Sequence, residues 1–147
     1  MTDGDLPFVA SLYASTRREE LADTGWPQEM QDAFLRQQHE AQHSYYRATY
    51  DGAEWLIIEQ GGAPVGRLYR VVWPREIRII DISLVPDARG SGIGGAILGA
   101  IQEEARGIGK AVSIHVEKHN RARNLYLRLG FEVIEDKGVY DLMEWRP

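Results

Sequence analysis

The stretch VPDARGSGIGG, residues 85–95, constrains this chain more than any other. It sets four glycines and an arginine directly before a segment of helical periodicity. Glycine is entropically costly to order, so such a cluster marks a place where bare backbone must approach something. Ile93, Ile97, Ile101 and Ala105 then step by four along one face, so the cluster opens a helix. A glycine-rich turn feeding a helix N-terminus presents unpaired N–H groups and the positive end of the helix dipole, which together make a pyrophosphate site. Gly90, Gly92 and Gly94 let the backbone approach, and Arg89 adds a fixed charge. Close packing of a helix on a sheet would not by itself call for three glycines in alternation.

The rest of the chain supplies a frame for that turn. A length of 147 residues predicts a single domain over 1–147, and an apolar fraction of 44% with four tryptophans excludes disorder. Asp3 or Asp5 is expected to cap a first helix with Pro7 in its opening turn and Phe8, Leu12 and Tyr13 facing inward. TRREELADTG breaks that pattern, and Trp26-Pro27 starts a longer helix with Met30, Phe34, Ala41, Tyr45 and Ala48 at near-helical spacing. EWLIIEQ and PVGRLYRVVW read as a hairpin joined by GG, and EIRIIDISLV as a third strand ending at Pro86. After the glycine turn come its helix, ended by Gly107 and Gly109, and the strand AVSIHV. A short helix from Arg121 to Leu129, closed by Gly130, and the hairpin FEVIED/VYDLMEW finish the chain. The predicted order is ααβββαβαββ, a mixed α/β sheet with helices packed around it.

Composition narrows the function. No apolar run approaches the roughly 20 residues that cross a membrane, and MTDGDLPF lacks the pattern of a secretion leader, so a cytoplasmic protein is expected. With no cysteine, disulfides, thiolate metal sites and cysteine nucleophiles drop out. The net charge of −5 is uneven: Gly66–Arg128 holds eleven Lys/Arg against six Asp/Glu, the remainder six against sixteen. A basic middle in an acidic chain suits a compact polyanion better than a nucleic acid, although chance scatter on a solvated surface explains the charge equally well.

Two other motifs compete with the phosphate turn. HEAQH, His39 to His43, matches the H-E-x-x-H zinc pattern on a predicted helix. Flanked by RQQ and SYY, and with no third ligand offered downstream, it reads as a solvated helix face, and no metal is expected. GSGIGG, Gly90 to Gly95, satisfies the dinucleotide fingerprint, with Glu117 near the place of a ribose-binding acid. There, PDAR separates strand from turn and the later parallel βα units are missing. A dinucleotide-binding oxidoreductase is therefore the third-ranked reading. No Gly-Lys-Ser/Thr follows, which excludes the Walker loop.

Arg89 to Gly94, R-G-S-G-I-G, resembles the Arg/Gln-x-x-Gly-x-Gly/Ala loop of the GNAT N-acetyltransferase superfamily. NRARNLYLRLGF, Asn120 to Phe131, is similar to that family's later Asn…Ala-x-x-Leu-Tyr-x-x-x-Gly-Phe helix. The resemblance implies acetyl-CoA as co-substrate, its pyrophosphate on Arg89, Gly90, Ser91, Gly92, Ile93 and Gly94. It also implies that the pantetheine arm lies along the backbone of Ile82, Ser83, Leu84 and Val85, which could supply an oxyanion donor. The family's sheet is mostly antiparallel with splayed strands. Two departures stand out: the family's usual first β-strand is missing here, and Asn120 precedes Ala122 by two residues rather than three. Asn120 is thus a cofactor ligand or a cap of the last helix.

Amine acetylation implies roles for particular residues. An alkylamine with a pKa of roughly 10 must lose a proton before attack, and the leaving thiolate must gain one. By resemblance Tyr126 is the general acid near the sulfur, and a core tyrosine is its bland alternative. Asp81 is the candidate base, acting through water. It alternates with Ile77 and Ile79 and so is partly buried, and a structural carboxylate paired with an arginine is the even alternative. Glu117 and His115 are weaker candidates, expected on opposite faces of their strand. The acceptor, a small or peptidyl amine, is expected between Arg17–Trp26 and Lys137–Tyr140, with Trp26, Tyr45, Tyr46 and Tyr140 as candidate walls. A non-catalytic acyl-CoA sensor on the same fold is the rival function, and a homodimer is left open.

Overall fold

The computed structural model describes every residue, Met1–Pro147. Two helices open the chain, α1 (Leu6–Arg17) and α2 (Gln28–Thr49), joined by a 3-10 segment, Arg18–Thr24. Then follow β1 (Glu54–Gln60), β2 (Ala63–Val72), β3 (Glu76–Leu84), α3 (Ile93–Ile108), β4 (Ala111–Glu117), α4 (Arg123–Arg128), β5 (Glu132–Asp136) and β6 (Tyr140–Trp145). Element order is as the sequence predicts, with no strand ahead of α1. The last helix starts two residues later than expected, and Gly107 lies inside α3, so Gly109 alone caps it with a φ of 66°. No helix is long and apolar enough to cross a membrane.

The six strands form one sheet in the order β1-β2-β3-β4-β6-β5. Every pairing is antiparallel except β3 with β4, which is parallel and short, from Glu76↔Ala111 to Ile79↔Ile114. Beyond Ile79 the two strands part. β3 stays on β2 as far as Gly66↔Leu84, and β4 stays on β6 as far as Glu117↔Tyr140. A wedge therefore opens in the middle of the sheet, with one edge of β3 left unpaired from Ile80 onward. A single parallel pair is not a doubly wound sheet, which removes the dinucleotide fold that GSGIGG alone could suggest.

One face of the sheet packs on α3 and α4 through Leu68, Ile77, Ile79, Leu98, Ile101, Tyr126 and Phe131, all buried. The other face lies under α1 and α2, with Val9, Leu12 and Tyr69 buried there. Here the expected phase of α2 is wrong by one residue. Met30 is 50% exposed and Tyr45 60%, while Leu35 and His39 are the buried positions. The inward stripe carries polar residues because its neighbours are polar: Gln42 meets Arg67 of β2, and Gln38 meets the Tyr13 hydroxyl of α1. Ranking by hydrophobicity chose the wrong face.

The same packing overturns the solvated-face reading of HEAQH. His39 is 6% exposed, its ring 5.6 Å from Tyr13 and 6.1 Å from His43. His39 Nε2 and His43 Nδ1 are buried without a hydrogen-bond partner. Burial, then the nearby Arg67 charge, push the His39 pKa below its ordinary value. A guanidinium beside two imidazoles opposes a metal cation.

Candidate active site

A cleft of about 1430 Å³ follows the wedge and runs from the head of α3 to the space under α1 and α2. Its two ends are built differently.

At the first end, Gly90 and Gly92 have φ of 74° and 86°, the left-handed region that favours glycine. Gly94 has ordinary backbone, and a Cβ on it would make only ordinary contact, with Leu125 at 3.8 Å and Leu84 at 3.9 Å. The requirement therefore falls on two of the three alternating glycines. The first closed bond of α3 is Ala96 N–H to the Gly92 carbonyl at 3.0 Å, and none of the amides of residues 90–95 donates to the protein. The turn thus ends in a run of free N–H groups at the positive end of a four-turn helix, which is an anion cradle. Arg89 Nε donates to the Leu84 carbonyl at 3.1 Å, which anchors its stem and leaves both Nη groups free. Arg121 and Arg128 line the cleft as well, and like Arg89 they have no carboxylate partner. Much of the remaining basic excess is spent in ion pairs, as with Arg67, Arg70, Arg78 and Arg123.

In the middle of the wedge, Ile82, Ser83 and Leu84 present the unpaired edge of β3 to the cleft. Tyr126 sits opposite on α4. Its ring is buried against Phe131 at 5.7 Å, and its hydroxyl makes no hydrogen bond within the protein. Burial, and after it the charge of Asp81, raise the Tyr126 pKa, so the phenol keeps its proton at neutral pH. Asn120 lies at the cleft edge, where its Oδ1 accepts the Ala122 N–H at 2.9 Å, closing a side-chain turn that leads into α4 without capping the helix itself.

At the far end, a β-bulge decides the geometry. Tyr69 pairs with Asp81 but Arg70 with Ile79, so Ile80 is the extra residue. The bulge inverts the alternation, as extra residues do. Ile77 and Ile79 face α3, whereas Asp81 faces α2, contrary to the expected shared face. There Asp81 Oδ2 accepts from Arg67 Nη2 at 2.8 Å and from the Tyr46 hydroxyl at 3.3 Å, and Oδ1 accepts from the Ser83 hydroxyl at 2.7 Å. Arg67, which sequence reasoning missed, is 2% exposed and lies 4.8 Å over the Tyr69 ring. Its only signal was an arginine inside a largely apolar strand, which Arg70 shares.

Glu117 and His115 both line the cleft, since residues two apart on a strand share a face; the expected opposition was wrong. Glu117 pairs with Arg17 at 3.2 Å, and His115 is pushed down by burial and then by Arg78. Tyr45, Tyr46 and Tyr140 line the cleft. Trp26 does not: it packs edge-on against Phe34 at 5.3 Å, away from the cleft.

Comparison with known proteins identifies the family and the fold. The acetyltransferase (GNAT) family model matches residues 11–131. The uncharacterized N-acetyltransferase YhfO of Bacillus subtilis (strain 168) is 35% identical over 117 residues, which is 71% of this chain and 77% of that one. Among solved structures, the PaiA N-acetyltransferase of Thermoplasma acidophilum in complex with coenzyme A superposes with a TM-score of 0.74. It is 15% identical, over 100% of this chain and 96% of that one. The ribosomal-protein-S18-alanine N-acetyltransferase of Escherichia coli gives a TM-score of 0.63 at 20% identity, over 99% and 90%.

Proposed function

This chain belongs to the GNAT acetyltransferase family, and on that premise we propose that it moves an acetyl group from acetyl-CoA to a primary amine by direct attack in a ternary complex. The observation that carries the co-substrate end is the run of free amides at residues 90–95, set where β3 and β4 part. Arg89, Gly90, Ser91, Gly92, Ile93 and Gly94 hold the pyrophosphate in this reading. The open edge of β3 at Ile82 to Leu84 takes the pantetheine amides as an added half-strand and offers an N–H to the oxyanion. Val85, expected on the same edge, lies past the strand and gives its N–H to the Val65 carbonyl at 2.8 Å instead. Asn120 is assigned to the turn before α4 rather than to the cofactor.

Two side chains then divide the proton work. Asp81 draws the proton from the acceptor's ammonium through an intervening donor, which leaves a neutral amine to attack the thioester carbonyl. Tyr126, kept protonated by burial, gives its proton to the departing sulfur. One of the two N–H protons left on nitrogen is lost to solvent, which also reprotonates Tyr126, and the other stays on the amide. The net reaction converts an ammonium and acetyl-CoA into amide, CoA thiol and one released proton. Tyr45, Tyr46 and Tyr140 form the acceptor's walls.

Thermal unfolding with acetyl-CoA, CoA, NADH or zinc tests the first half. A shift with both CoA species alone is expected, because only a ligand of the native state raises stability. A shift with NADH or zinc instead would overturn it. Tyr126→Phe tests the second: turnover should fall about 100-fold with the CoA-induced shift intact. Unchanged turnover would remove Tyr126 as the acid. A protein that binds CoA yet acetylates no amine would be the acyl-CoA sensor.

A further inference from the structure

The two oxygens of Asp81 are used unequally. Oδ2 carries Arg67 Nη2 and the Tyr46 hydroxyl, and Arg67 Nη2 is also held by Gln42 Oε1 at 2.8 Å. That oxygen is tied to a buried guanidinium and to α2. Oδ1 has one protein partner, the Ser83 hydroxyl at 2.7 Å. A serine that donates its hydrogen to a carboxylate still has lone pairs with which to accept another. Ser83 stands two residues beyond Asp81, past the bulge, and pairs with Arg67 across the sheet. Its side chain therefore shares the acceptor face with Asp81 while its backbone edges the wedge, and both residues line the cleft.

The geometry points to Ser83 as a proton relay between the acceptor amine and Asp81, with Arg67 as the positioning residue that keeps Oδ2 out of the exchange. This rests on the reading of Asp81 as the base. The ammonium N–H bond breaks, its electron pair stays on nitrogen, and the proton passes to Ser83 Oγ. In the same motion the serine's own proton passes to Asp81 Oδ1. One O–H bond forms on the serine as another breaks, so it ends neutral, and Asp81 later releases the proton to solvent. The relay confers a substrate preference: amines that are protonated at pH 7 need it, and amines already neutral there do not.

Acetylation of benzylamine, largely protonated at neutral pH, and of hydroxylamine, largely neutral, separates the two demands. Ser83→Ala should lower the benzylamine-to-hydroxylamine ratio of kcat/KM by about tenfold or more relative to the parent protein. Equal losses for both amines would make Ser83 merely structural, and no loss with benzylamine would remove the relay outright. Asp81→Asn, run beside it, assigns the fault. If benzylamine turnover survives Asp81→Asn, the base itself is misassigned. If Asp81→Asn abolishes it and Ser83→Ala does not, the relay alone fails.

Discussion

The phosphate end of the cleft is made by a short continuous run, Leu84 to Gly95, and it works almost entirely through backbone. The acceptor end brings Tyr13 and Arg17 from α1, Gln42 and Tyr46 from α2, Arg67 from β2 and Asp81 from β3, and it works through side chains. The first needs only two left-handed glycines and a helix behind them. The second needs a bulge, a buried arginine and a helix docked in one phase. Substitutions should therefore damage the two ends independently, and three of them measure how far that independence goes.

The largest effect belongs to Arg67→Met. Removing one partner leaves Asp81 half-buried without its counter-charge, and breaking a buried pair costs about 3–5 kcal/mol. For a chain of this size that lowers Tm by roughly 10 °C. The acceptor end should suffer alone: the increment in Tm that CoA adds should survive. Loss of that increment would show that the two ends are one cooperative unit.

Gly92→Ala is the converse and smaller. A Cβ there meets nothing within 4 Å, so the change acts through φ alone, at about 1–2 kcal/mol. CoA affinity should weaken about tenfold as the cradle distorts. The benzylamine/hydroxylamine ratio of the parent should be unaltered, and a changed ratio would break the separation.

The smallest effect is a pH dependence confined to the acceptor end. His39 and His43 both have pKa values lowered by burial first, with cationic neighbours adding to it. His39 is faced by Arg67, His43 and Glu40, and His43 by Arg47, Arg67 and Asp3. Between the lowered native values and the ordinary value of about 6.5, the unfolded chain binds more protons than the native one, so stability rises with pH across that window. Above it these two groups contribute no slope; below it their penalty is complete. Tm measured from about pH 7 down to about pH 5 should fall, and His39→Gln should flatten the curve. An equal slope in the variant would place the proton uptake elsewhere.

The bulge at Ile80 shows why the acceptor end was hard to read in advance. Alternation put Asp81 with Ile77 and Ile79, and one extra residue sent it to the opposite face. In α2, Gln42 turns inward because Arg67 lies below it, and Gln38 and His39 because they meet Tyr13 of α1 rather than a greasy core. A hydrophobicity ranking cannot know that. Trp26 looked like a wall and instead covers Phe34. By contrast, the strands, their order and the helix after the glycine turn followed from periodicity and turn residues alone.

What this sequence determined by itself is whatever depends on neighbours in the chain: the elements, the left-handed glycines, the free amides and the charge that suits a pyrophosphate. The physical reason is that φ preferences and helix ends act over a few residues. Only the tertiary structure decided which arginines stay free of carboxylates, how far β3 and β4 run before they part, and that Asp81, Ser83 and Arg67 share a face. Those depend on strand register and helix phase, which are set by what each element finds across the sheet.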